Sequence, residues 1–102
     1  MPVYHIVLFQ LKPAVSQESL AAFSKKAAEM VGKIPGLLKI DINRPLPATA
    51  HRSKGYDIGL VAVLEKPGDV AVYAAHPAHL EVQEIRERLC VDTLAYDLEF
   101  AA

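Results

Sequence analysis

Val3-Tyr4-His5-Ile6-Val7-Leu8-Phe9-Gln10-Leu11 is the stretch on which the fold turns. At the alternating period of a strand, Val3, His5, Val7, Phe9 and Leu11 share one side, and Tyr4, Ile6, Leu8 and Gln10 the other. Both sides are mostly apolar. Such a strand belongs at the centre of a sheet, between two apolar layers. Lys12-Pro13 ends it.

The segments downstream supply one of those layers. Ser16 is suited to cap a helix, with Glu18 in the first turn where a carboxylate favours the helix dipole. Leu20, Phe23, Ala27, Met30, Val31 and Ile34 then recur at helical spacing, and Lys25, Lys26, Glu29 and Lys33 fall mostly off that stripe. The pattern predicts an amphipathic helix stopped by Pro35-Gly36. Leu38, Ile40 and Ile42 alternate with Lys39, Asp41 and Asn43, which predicts a half-buried second strand.

A loop with two prolines follows from Arg44 to Gly55, long enough to suggest a functional role such as the rim or lid of a cavity. Tyr56, Ile58, Leu60, Ala62 and Leu64 form one face of a third strand, opposite Asp57, Gly59, Val61 and Val63. Gly59 leaves space on its face. Pro67-Gly68-Asp69 reads as a turn with Asp69 as the cap of a short helix through Ala75. Pro77 forces a break, because the residue before a proline is biased away from helical angles.

A further helix is expected to run to about Leu89, burying Ala78, Val82, Ile85 and Leu89. Glu81, Glu84, Arg86, Glu87 and Arg88 read as its solvated face. The last strand is expected over Val91 to Phe100, with Leu94, Tyr96, Leu98 and Phe100 opposite Thr93, Ala95, Asp97 and Glu99.

The order is β-α-β-β-α-α-β, a ferredoxin-like α+β plan with helices on one face of a four-stranded antiparallel sheet, in a single domain over residues 1–102. Helices cover one face, yet the first and third strands are apolar on both. A second copy of the sheet is the simplest cover for the other face, so a homodimer is expected.

Composition narrows the function. The formal net charge is −1, with cations and carboxylates interspersed, and no basic patch points to nucleic acid. Cys90 is the one cysteine, so an internal disulfide is excluded, and a packed thiol fits its apolar surroundings. The opening residues lack the basic region of a signal peptide, and their apolar run is too short to span a bilayer. A soluble cytoplasmic protein without membrane contact is the expectation.

Tyr73-Ala74-Ala75-His76-Pro77-Ala78-His79 concentrates the residues able to do chemistry. Histidine titrates near neutrality and can both take and return a proton. Together with His5-Ile6-Val7-Leu8-Phe9, Ile34-Pro35-Gly36-Leu37, Gly55-Tyr56-Asp57 and Tyr96-Asp97, this stretch resembles the stress-responsive dimeric α/β-barrel (Dabb) family over nearly the whole chain. The resemblance implies a homodimer in which two sheets meet as a barrel. It also implies kinship with a plant polyketide cyclase of the family, which closes a poly-β-keto thioester by aldol condensation without cofactor or metal. The positions matching that enzyme's acid and base are Tyr73 and His79, and His5 matches a cavity histidine. A further cavity histidine of that enzyme, in its third strand, falls near Ile58, so this chain has no counterpart to it.

The chemistry is coherent with that match. An aldol step needs a base for a proton alpha to a carbonyl, and a donor for the oxyanion that develops. His79 is the candidate base and Tyr73 the candidate donor, with Asp97 able to orient His79 through its other ring nitrogen. His5 is expected to line the same cavity and, with Asp97 and His76, to orient or bind the substrate, while His76 also reads as the cap of the helix opened by Pro77. Each also has a structural reading, as a hydrogen-bonded core group or a local cap.

His76 and His79 stand three apart with no carboxylate or further histidine at ligand spacing, so no metal is expected, and no cofactor. Two functions remain open: a cyclase or lyase acting on a carbonyl or polyketide-like substrate, and a non-catalytic stress-associated homodimer or small-ligand binder.

Overall fold

The computed structural model describes residues 1–102. Its elements are β1 (Val3–Leu11), α1 (Gln17–Ala28), β2 (Leu37–Asn43), β3 (Ile58–Leu64), α2 (Asp69–Ala75), α3 (Pro77–Leu89) and β4 (Cys90–Glu99). They form a four-stranded sheet in the order β2-β3-β1-β4, antiparallel throughout, the ferredoxin-like arrangement. The two-sided β1 is central, hydrogen-bonded to β3 on one edge and β4 on the other. No helix is long and apolar enough to cross a membrane.

The core lies between the helices and one sheet face. Val3, Val7 and Phe9 of β1 meet Phe23 and Ala27 of α1, Leu60, Ala62 and Leu64 of β3, and Val82 of α3. Phe9 and Phe23 pack edge to face, with ring centroids 5.6 Å apart. Cys90 packs against this core from its margin, and burial pushes its thiol up.

Three expected positions shift, each for a local reason. Helix α1 ends at Ala28, and the chain runs through tight turns to Ile34, where Met30 N–H bonds the Ala27 carbonyl. The i→i+3 bonds of Met30 and Val31 change the phase before Gly32 (φ +93°) is reached, which leaves Val31 exposed while Met30 and Ile34 stay buried. In β2 a bulge between Leu37 and Lys39 turns Leu38 outward, so Leu37, not Leu38, faces the core with Ile40 and Ile42. Asp69 is the first residue of α2 rather than its cap, and its carboxylate accepts from Lys66 N–H.

The opposite sheet face carries no helix. Tyr96 is 63 % exposed there, and Val61, Leu94 and Leu98 are exposed beside a half-buried Ile6 and Leu8. The Arg44–Gly55 segment, which contains a short 3-10 helix at Pro47–Arg52, borders this face. Within its own chain it contributes nothing to the cavity beside Tyr73 and His79. Gly59 also lies on the outer face, where a Cβ would meet Leu8 at an ordinary 3.5 Å.

Candidate active site

A cavity of about 120 Å³ opens between β1 and β4 on one side and the α2–α3 corner on the other. Alternation along β1 turns His5 inward as part of its floor, and α2 brings Tyr73 down onto it. Pro77 then breaks the helical path. His76 takes extended angles (φ −68°, ψ 138°), and α3 restarts at Pro77 in a new direction that returns His79 to the same cavity.

His76 closes this corner as expected of a cap: its Nδ1 accepts from Ala78 N–H at 3.0 Å, while Pro77 needs no partner for its nitrogen. The ring is thereby turned to the backbone and stands outside the cavity lining, so within the chain His76 acts as a cap and does not reach a substrate there, contrary to its other expected role.

The remaining three rings form a row. His5 and Tyr73 meet edge to face with centroids 5.1 Å apart, and Tyr73 and His79 are 4.5 Å apart at a tilt of 45°. Tyr73 is only 2 % exposed, yet its hydroxyl has no hydrogen-bond partner in the chain and no buried polar atom is left orphaned. The hydroxyl therefore opens onto the cavity. Burial pushes its pKa up to about 12, reinforced by Asp97 and opposed by Arg86, so it stays protonated and can only donate at neutral pH.

His79 is half-buried, and its Nδ1–H donates to the Ala74 carbonyl at 3.1 Å. That bond fixes the tautomer and leaves Nε2 with a free lone pair. Burial pushes its pKa below the ordinary histidine value, the Ala74 carbonyl partly counters this, and Arg86 and His5 lower it further. The ring is neutral at neutral pH, the state a base requires.

Asp97 does not serve His79. Its Oδ1 accepts from His5 Nδ1–H at 2.5 Å, because the antiparallel register places residues 5 and 97 directly opposite each other. His79 finds its orienting acceptor on the backbone of α2 instead.

Three further polar residues reach the cavity: Gln83 and Arg86 from α3, and Thr93 from β4. Gln83 and Arg86 follow His79 by one and two helical turns, so they share its face. The helical spacing from His79 was the available signal. Charge pattern alone assigns Arg86 to solvent, as do neighbours that do face it.

Comparison with known proteins bears on this arrangement. A family model described as the stress responsive A/B barrel domain matches residues 3–100. Comparison with curated proteins found no match to the chain. Among solved structures, a protein from Arabidopsis thaliana is similar at 26 % identity and a TM-score of 0.86, over 98 % of this chain and 96 % of that one. A dimeric protein of unknown function with a ferredoxin-like fold, from Bacteroides fragilis, is 26 % identical with a TM-score of 0.75, over 97 % of this chain and 96 % of that one. A hydroxynitrile lyase from Passiflora edulis has a TM-score of 0.84 at 18 % identity, over 95 % of this chain and 91 % of that one, a likeness of fold.

Proposed function

The chain belongs to the stress-responsive A/B barrel domain family, and on that premise we propose that it is a homodimeric acid–base catalyst of aldol-type chemistry on a small carbonyl compound. The observation that carries this reading is the pairing of Tyr73 and His79 across one cavity, with neither the hydroxyl nor Nε2 committed to a protein partner.

The chemistry follows from the two protonation states. His79 Nε2 takes a proton from the carbon alpha to the substrate carbonyl. The C–H electron pair becomes the enolate double bond, and the carbonyl π pair moves to oxygen, where the Tyr73 O–H donates to it. The enolate carbon then attacks a second carbonyl carbon, forming the C–C bond. The resulting alkoxide takes back the proton held by His79, so the enzyme ends as it began. Read in reverse, the same steps cleave a C–C bond.

Cavity size limits the substrate. About 120 Å³ is well below the ~300 Å³ at which sites for drug-sized ligands begin. It favours a short carbonyl compound over an extended polyketide chain. That the fold accommodates lyase chemistry in the Passiflora edulis enzyme is an analogy of fold only. The uncovered apolar face supports pairing with a second copy, as does the dimeric state of the Bacteroides fragilis protein.

The test is exchange of α-protons. Small ketones are incubated in deuterium oxide with wild type, His79→Ala and Tyr73→Phe, and loss of the α-proton signal is followed by NMR. Wild type should accelerate exchange, His79→Ala should abolish the acceleration, and Tyr73→Phe should reduce it. Equal rates for wild type and His79→Ala would sink the assignment and leave a non-catalytic ligand-binding dimer.

A further inference from the structure

Helix α3 carries five charged side chains, and four are matched within the chain. Glu81 pairs with Lys26 of α1 at 3.0 Å, Glu84 pairs with Arg88 at 3.2 Å, and Glu87 accepts from Gln83 at 3.4 Å. Arg86 is the exception: its guanidinium makes no ion pair and no side-chain hydrogen bond, although it is half-buried and lines the cavity. Helical spacing explains this. The positions one turn away are Val82, Gln83, Leu89 and Cys90, none of them a carboxylate.

The cavity is also polarised from end to end. Asp97 sits at the His5 end of the ring row, bonded to His5. Arg86 acts at the other end, where its charge bears on both Tyr73 and His79. Along the helix axis, seven residues separate the backbones of His79 and Arg86 by about 10 Å. A helical side chain leans back over the preceding turn, which brings the guanidinium to within a few carbon–carbon bonds of the reacting pair.

We propose that Arg86 is a substrate-anchoring residue and that the cavity takes a short oxo acid, its carboxylate on the Arg86 guanidinium and its carbonyl oxygen at the Tyr73 hydroxyl. The planar fork of arginine accepts a carboxylate through two parallel hydrogen bonds. A phosphate dianion fits less well, because a single guanidinium balances half its charge and Asp97 repels the rest. Asp97 also sets the orientation, by keeping the carboxylate away from the His5 end. This assignment rests on the acid–base reading for the place of the carbonyl, and on Arg86 for the place of the acid.

The experiment is a binding comparison in carboxylate-free buffer, read by titration calorimetry and by amide shifts of residues around Tyr73 and His79. The probes are pyruvate, acetoacetate and levulinate, with the methyl ester of each as the uncharged counterpart. Wild type should bind at least one acid about tenfold or more tightly than its ester. Arg86→Gln should bring the acid-to-ester affinity ratio to about one, and Arg86→Lys should retain part of the preference, with circular dichroism confirming intact folding of both variants. No preference for acid over ester in wild type, no binding of any probe, or an undiminished preference in Arg86→Gln overturns the proposal. Its failure is distinct from failure of the acid–base reading. His79-dependent α-proton exchange without acid preference sinks the anchor alone, whereas Arg86-dependent acid binding without exchange supports the anchor and sinks the catalysis.

Discussion

The carboxylate of Asp97 accepts the Nδ1–H of His5 at 2.5 Å, across the ladder that joins the edge strand β4 to the central β1. Their side chains differ in exposure, at 11 % for His5 and 41 % for Asp97. The pair therefore pins the edge strand to the cavity floor while leaving His79 to its own backbone acceptor. Asp97→Asn keeps the shape and removes the charge. It should cost about 1 kcal/mol in urea unfolding, the lower range of a charge-assisted hydrogen bond in a partly solvated setting. The acidic limb of the pH–rate profile, which belongs to His79, should stay in place. A shift of that limb in Asp97→Asn would show that the carboxylate acts on His79 after all.

Tyr73→Phe separates catalysis from packing. The ring is buried and retained in the variant, and the deleted hydroxyl has no protein partner to lose. Unfolding free energy should therefore change by less than about 0.5 kcal/mol. Loss of a donor to a developing oxyanion should lower kcat by roughly 10²–10³-fold. If the hydroxyl were structural, the two effects would be reversed: a large loss of stability with activity intact.

The pH dependence follows from burial, which disfavours the charged form of both groups and so moves their pKa values in opposite directions. His79 must be neutral to act, and its pKa lies below the ordinary histidine value because burial disfavours the imidazolium. Activity should rise as pH increases through that lowered value and reach its plateau at or below neutrality. Tyr73 must be protonated, and with a pKa near 12 it keeps its proton through the accessible alkaline range. The profile of kcat/KM should thus be a single rise, with no alkaline limb below about pH 10. A bell centred near neutrality would assign the donor to a different group.

The parts of this site that follow helical or strand periodicity were legible in the chain. The two-sided run Val3–Leu11 forecast a central strand and an uncovered apolar face, and Pro77 forecast both the break at His76 and its capping role. Partnerships that depend on register were not legible. Asp97 reaches His5 because the β1–β4 ladder sets residues 5 and 97 opposite, a relationship no local pattern contains. Arg86 reads as solvated among Glu84, Glu87 and Arg88 until α3 is laid against β4 and the cavity between them appears. Leu38 and Val31 leave the expected pattern through local backbone events, a bulge in β2 and the tightened turn that ends α1, which shift the phase of a correct pattern.

Gly36 couples the folding of this region to the site. Its φ of +83° is one that glycine adopts freely, and a Cβ there would stand 2.4 Å from the Asp69 carboxyl carbon. That carboxylate is buried and held by Lys66 N–H, so relief requires movement at the start of α2, one turn before Tyr73. Gly36→Ala should cost about 2–4 kcal/mol, from the left-handed backbone and the overlap together. The double variant Gly36→Ala/Asp69→Ala should recover the overlap and keep the backbone cost. Thermal unfolding of the two would measure the division, and an identical loss in both would show that the Asp69 contact is immaterial.

Dimerisation is tested where the uncovered face is centred, on β1. Ile6 lies there beside Leu8, with Val61 of β3 on one flank and Tyr96 of β4 on the other. In a lone chain, Ile6→Glu would place its carboxylate at a half-solvated position, a modest cost. Between two sheets the same carboxylate would be desolvated without a partner, at several kcal/mol for each copy. The substitution should therefore leave the chain folded and separate the copies. Val31→Glu is the matched control, since Val31 is 40 % exposed but lies in the turns after α1, away from that face. Sedimentation at micromolar concentration should give twice the 11.1 kDa chain mass for wild type and Val31→Glu, and the single-chain mass for Ile6→Glu. A wild type that sediments as a single chain, or an Ile6→Glu variant that stays paired, would move the interface off this sheet face and require another cover for its apolar residues.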